Sequence, residues 1–254
     1  MSKASFSPSD VIYRDRQGQP LKAKNRSQER IVASVHSNTV TFALGPAGSG
    51  KTFLAVLLGI KAIKNRSAKK LIITRPILEA GENLGYLPGD MMEKVDPYLR
   101  PLYDAIDKIV GIDTRQAYID KGIIEIVPLA YMRGRTLEKA FIILDEAQNC
   151  EYKQLQMFLT RLGPNVKCVV TGDPSQCDLD YRDESALKHA YDILGGIRNI
   201  GFAFTTTEDV VRHKIVGDVI NAYKDWKKTK HISGEDNESA SVGVSINTNI
   251  NIEQ

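Results

Sequence analysis

Residues Gly45-Pro46-Ala47-Gly48-Ser49-Gly50-Lys51-Thr52 spell G-x-x-x-x-G-K-[ST], set between the apolar run Thr39–Leu44 and the helix-compatible stretch Lys51–Lys64. Average composition puts four specified positions at this spacing in about one chain in a hundred of this length by accident, and the flanking strand and helix lower those odds. Glycines let successive backbone N–H groups curl around one concavity. The positive end of the following helix adds to their attraction for phosphate oxygens. Gly45, Pro46, Ala47, Gly48, Ser49, Gly50, Lys51, Thr52 and the next residue, Phe53, are therefore expected to line a nucleotide. Lys51 would bridge its β- and γ-phosphates, and the Thr52 hydroxyl would ligate Mg²⁺. The competing reading is an ordinary glycine-rich turn from strand to helix.

A chain of 254 residues has room for one large α/β domain and not comfortably for two. Its 34 Lys and Arg nearly balance 31 Asp and Glu, for a net charge of +3. Whole-chain electrostatics thus neither demand nor exclude a nucleic-acid partner, and any basic surface must be local. Cys150, Cys168 and Cys177 cannot all pair and lack metal-ligand spacing, so free thiols in a reducing compartment are expected. His36, His189, His213 and His231 show no zinc spacing either, which leaves Mg²⁺ as the expected metal. Met1–Asp10 is polar, and no later segment reaches the apolar length needed to span a bilayer. A soluble cytoplasmic protein is expected.

Along the chain, residues 1–24 are polar and read as an arm on the globular core, with Gly18 and Pro20 marking a turn. A helix is expected from Ser27, as N-cap, through Gln28, Ile31, Val32 and Val35. Pro76–Gln116 carries four prolines and four glycines and is expected to break into loops and short helices. Apolar runs at Leu71–Thr74, Ile123–Val127, Phe141–Leu144, Val166–Val170 and Ile200–Phe204 read as strands. Helical patterns fall at Tyr152–Leu162, Glu184–Leu194 and His213–Lys227. This alternation predicts an α/β fold of P-loop NTPase (RecA-like) type, three layers with a mostly parallel sheet and helices on both faces. The domain is expected over residues 25–228, followed by a flexible tail at 229–254 whose composition turns to Ser, Asn, Glu and Gly.

Phe141-Ile142-Ile143-Leu144-Asp145-Glu146 is an apolar strand that ends in two acids, at the carboxyl edge of the sheet where open α/β folds bind ligands. Asp145 would hold the Mg²⁺ shell, and Glu146 would orient or deprotonate an attacking water. At least one strand-like run lies between the phosphate loop and Asp145. That fits the P-loop class in which a strand is inserted between the two nucleotide strands and a glutamate activates water, and it points to hydrolysis. Thr171-Gly172-Asp173-Pro174-Ser175-Gln176 ends another apolar strand, and Gln176 is placed either as a γ-phosphate sensor or in a plain turn. Arg212, ahead of the last helical pattern, is either an arginine finger or a surface ion pair.

These motifs in this order resemble the PhoH family, phosphate-starvation-inducible ATPases whose core is similar to the first motor domain of superfamily 1 helicases. The matching pieces are the phosphate loop, Thr74-Arg75-Pro76, Leu84–Gly89, Pro128–Arg135, Asp145–Asn149, Gly172–Gln176 and Val211-Arg212-His213, spanning roughly residues 25–225. The resemblance implies ATP as the nucleotide, RNA or another single-stranded nucleic acid as partner, and a ring, hexameric, as the assembly. Fused members carry an additional PIN-type nuclease domain. This sequence departs from that pattern, with room for such a domain at neither end, which puts ribonuclease activity in doubt. Gln28 matches the place where related motors read adenine with a glutamine; alternatively it is a solvent-facing residue of an amphipathic helix. Tyr131, Arg133 and Arg135, around the flexible Gly134, suit stacking and phosphate contact with a single strand, or contact with a neighbouring subunit. Arg75 is a second nucleic-acid candidate.

Three functions compete at this stage: a nucleic-acid-stimulated ATPase or helicase, a slow ATP-dependent switch that regulates a partner, and a small-molecule kinase. Glu146 argues against a pure switch, which needs no built-in base. No Arg-rich lid or acceptor pocket of a kinase is identifiable.

Overall fold

The computed structural model of the chain describes residues 11–77, 91–177 and 185–210, together with Ile215, Val219, Ala222, Tyr223 and Trp226. The first described segment forms a small antiparallel hairpin of β1 (Tyr13–Arg14) and β2 (Pro20–Leu21), then α1 (Arg26–Ser37). Strand β3 (Val40–Leu44) runs through the phosphate loop into α2 (Lys51–Lys64), and β4 (Lys70–Arg75) follows. Next come α3 (Met91–Val110), α4 (Ile112–Asp120), β5 (Ile124–Pro128), β6 (Ala140–Leu144), α5 (Tyr152–Leu159), β7 (Lys167–Gly172), α6 (Ala186–Leu194) and β8 (Ile200–Phe204). A separate unit begins at Arg212, and its described positions are helical.

Six strands form one parallel sheet in the order β5-β4-β6-β7-β3-β8. Strand β7 therefore stands between the phosphate-loop strand and the strand that ends at Asp145, as expected for the inserted-strand class. All six carboxyl ends emerge on one edge, where open α/β sheets build their sites.

The strands read as uninterrupted apolar runs because both faces are covered. Phe42, Ile72, Ile142, Leu144 and Val170 point into one layer with Phe158 and Leu187. Ala43, Leu71, Ile73, Ile143 and Val169 point into the other with Ile31, Leu57 and Ile106. Helix α2 is buried from Leu54 to Ile60, since α3 covers the side turned away from the sheet.

Three expectations changed in detail. The N-cap of α1 is Asn25, in extended conformation, whose side chain accepts the Gln28 N–H at 2.8 Å; Ser27 lies inside the helix. Within residues 11–24, Ile12, only 2% exposed, packs into the core with Tyr13, Leu21 and Ala23 against it, while most of the others are exposed. The proline-rich stretch contains a helix of 20 residues, α3. Leu99, Leu102, Ile106 and Ile109 repeat at helical spacing and are all buried, while Pro97 and Pro101 fall on the exposed side, where water can satisfy the carbonyls they release.

Candidate active site

The phosphate loop is shaped by contacts that only glycine permits. Gly45 has φ +136°, and a Cβ there would collide with the carbonyl and hydroxyl of Thr205, just past β8. Gly50 has φ +84°, and a Cβ would sit 2.8 Å from Nε2 of Gln28. That amide is buried: Nε2 donates to Ser49 O at 3.0 Å, and Oε1 accepts the Lys24 N–H at 2.8 Å. Thr205 donates to Ser49 Oγ at 2.9 Å, and Ser49 donates to Pro46 O at 2.9 Å. Lys51 curls over the same loop, donating to Gly45 O at 2.6 Å and Pro46 O at 2.8 Å.

Asp145, 3% exposed at the end of β6, is held by hydroxyls from two other elements. Thr52 of α2 and Thr171 of β7 both donate to its Oδ1, at 2.7 and 2.6 Å. A threonine hydroxyl beside a carboxylate is a hard-oxygen pair that suits Mg²⁺. Glu146 follows in the left-handed region, at φ 52° and ψ 43°. Its Oε2 accepts from Gln148 Nε2 at 2.6 Å, and its Oε1 lies 3.1 Å from the Arg75 guanidinium. Gln148 also accepts the Asp173 N–H at 3.0 Å, and Asp173 Oδ2 accepts the Ala47 N–H of the phosphate loop at 3.2 Å. The loop, the turn after β7 and Glu146 are thus joined by one hydrogen-bonded chain. Beside it opens a cavity of about 390 Å³ lined by Thr52, Phe53, Arg75, Lys108, Asp145 and Glu146, among others.

The family model described as PhoH-like protein matches residues 20–224. This chain belongs to the PhoH family. It is 50% identical over 214 residues to a PhoH-like protein of Bacillus subtilis, covering 84% of this chain and 67% of that one. A PhoH-like protein of Mycobacterium tuberculosis is 47% identical over 225 residues, which is 87% of this chain and 64% of its own length. Protein PhoH of Escherichia coli K12 is 41% identical over 206 residues, 80% and 58% respectively. The chain therefore spans roughly three-fifths to two-thirds of the relatives it matches. Among solved structures, the SWI2/SNF2 ATPase core of Sulfolobus solfataricus in complex with dsDNA aligns at 13% identity and a TM-score of 0.46, covering 79% of this chain and 47% of that one. That likeness is too distant to bear on function.

The chain places its remaining candidate residues unevenly. Gln176 is exposed, and its N–H closes the turn onto Asp173 O at 3.0 Å. Tyr131 is 48% exposed and Arg133 is also exposed, on the segment after β5. Arg135 instead forks onto Glu125, donating from Nη2 to Oε2 at 2.9 Å. The hydrogen bond between them holds the Glu125 carboxyl below its usual range and raises the guanidinium. Arg212 lies outside the described residues. All three cysteines are free; burial pushes the Cys150 thiol up to about 12 and the Cys168 thiol higher still, so both are inert. Among the described residues no helix is long and apolar enough to cross a membrane.

Sequence reasoning did not assign roles to Thr171, Gln148, Asp173 or Thr205. The first three lie within motifs that were recognised, on Asp145–Asn149 and at the end of β7. Thr205 carries no local signal, being a lone threonine after an edge strand.

Proposed function

We propose that this PhoH-family protein binds ATP with Mg²⁺ and hydrolyses it, with turnover stimulated by single-stranded nucleic acid, RNA foremost. The observation that carries this reading is the meeting of Thr52, Asp145 and Glu146 at the mouth of the phosphate loop. Lys51 exchanges its loop carbonyls for the β- and γ-phosphate oxygens, and the backbone N–H groups of the loop hold the chain of phosphates. Thr52 and Asp145 would hold Mg²⁺, which when bound would neutralise charge on the phosphates. Glu146 takes the proton of an attacking water, and Gln176 sits on the turn that follows the sensor strand. Exposed Tyr131 and Arg133 provide an aromatic and a cation for a single strand. The family resemblance supports a ring as the active form, in which Arg212 would reach a neighbour's site. Steady-state ATP turnover, measured with and without single-stranded RNA, tests the reading. Slow turnover that RNA does not change would favour a nucleotide switch instead.

A further inference from the structure

Arg75 occupies an unusual junction for a residue at a strand end. Its Nη1 donates to the backbone carbonyl of Tyr98 at 2.8 Å, in the part of α3 that lies between Pro97 and Pro101. Nη2 of the same guanidinium pairs with Glu146 Oε1 at 3.1 Å. With Gln148 donating to Oε2 at 2.6 Å, one oxygen of Glu146 accepts a hydrogen bond and the other faces the guanidinium. An attacking water meets Glu146 in the orientation these two partners impose, and the carboxylate can turn only when one of them lets go. Gln148 is 4% exposed and tied to Asp173, whereas the Arg75 side chain is 21% exposed. The arginine is the donor that can leave.

Where it can go is set by the sheet. Arg75 stands in register with Pro128 on the neighbouring strand β5, and Tyr131 and Arg133 follow within five residues, exposed at the same edge. A single strand stacked on Tyr131 brings its phosphates to that edge, and a phosphate offers a guanidinium the same forked acceptor that a carboxylate does.

We propose that Arg75 is a positioning residue that latches Glu146, and that a backbone phosphate of a single-stranded nucleic acid draws it off and so frees the glutamate for hydrolysis. This rests on the ATPase reading above and names how the partner would regulate it. The test compares steady-state ATP turnover of the full chain, Arg75→Ala and Arg75→Lys, each with and without poly(U). Arg75→Ala should raise the basal kcat about fivefold, as expected for loss of one partly exposed ion pair, with KM for ATP little changed because Arg75 makes its contacts with Glu146 and Tyr98 rather than with the phosphate loop. Its stimulation by poly(U) should fall to a ratio near one. Arg75→Lys keeps the charge but cannot serve Glu146 and Tyr98 together, so it should fall between the two, and it carries the same test if the alanine variant folds poorly. A basal rate of Arg75→Ala at or below that of the unaltered chain overturns the proposal, as does an unaltered chain that poly(U) leaves unstimulated. Turnover in the unaltered chain with a slower Arg75→Ala defeats the latch alone. Turnover in neither protein defeats the ATPase reading as well.

Discussion

Replacing Thr171 with Val is the sharpest probe of how Asp145 is held. The two side chains have nearly the same shape, so the change removes the 2.6 Å hydrogen bond from Thr171 Oγ1 to Asp145 Oδ1 and little else. Thr171 is 1% exposed and Asp145 3%, so water cannot replace the lost donor. A hydrogen bond to a charged group is worth about 1.5–3 kcal/mol, and the extra buried methyl returns about 0.8 kcal/mol. The net cost is about 1–2 kcal/mol. For a domain of this size that lowers Tm by about 2–8 °C, readable by differential scanning fluorimetry or urea unfolding. Because Thr52 then holds Oδ1 alone, the carboxylate should also lose orientation, weakening the Mg²⁺-dependent part of ATP affinity about tenfold, while Mg²⁺-free ATP binding stays the same. A Tm unchanged to within about a degree, or a Mg²⁺ dependence identical to that of the unaltered protein, would refute the claim that Thr171 positions Asp145.

Lys51→Ala should greatly weaken nucleotide binding and abolish hydrolysis, which titration with a fluorescent ATP analogue and a phosphate-release assay will show. Glu146→Gln should bind ATP normally but turn over at less than about a hundredth of the native rate; a native rate would remove Glu146 as the general base. Arg212→Ala should bind ATP and scarcely hydrolyse it, and mixing it with Lys51→Ala should restore activity at interfaces where both residues are intact. No recovery despite demonstrated subunit exchange would place Arg212 in its own chain's site or in a structural role. His36 gives a pH prediction. Burial first, then Lys61 and Lys167, lower its pKa from 6.5, so the unfolded chain binds the proton more tightly, and stability falls as pH drops below about 6.5 toward the depressed value. His36→Gln should flatten that part of the curve of urea midpoint against pH.

Much of this site was legible because its parts are local. A phosphate loop needs glycines and a lysine at fixed spacing, and a parallel strand buried on both faces shows as an unbroken apolar run, so β3, β6 and the acids after β6 can be read directly. What escaped depends on tertiary partners. Gln28 could be read as an adenine contact or a surface residue, but its amide is spent on Ser49 O, 21 residues away, and on Lys24 N–H. Ser27 and Asn25 are both good capping residues, and only the extended backbone at Asn25 decides between them. Prolines argued against α3, yet its buried face outweighs them. Arg75 read as a free cation for nucleic acid, and nothing in Thr74-Arg75-Pro76 announces that Glu146 and Tyr98 share it.

The dispersal of the site along the chain sets the order in which it can come into being. Ser49 meets Thr205 across 156 residues, Ala47 meets Asp173 across 126, and Thr52 meets Asp145 across 93. Each contact closes a long loop whose entropy must be spent before the contact repays it, so a sheet of this kind folds slowly for its size. During synthesis the phosphate loop leaves the ribosome early, just after Gln28, but its downstream partners Asp145, Asp173 and Thr205 are complete only when residue 205 has followed. Nucleotide added to refolding chains should therefore accelerate only the last phase, because it recognises a surface that exists once the edge strand β8 has docked.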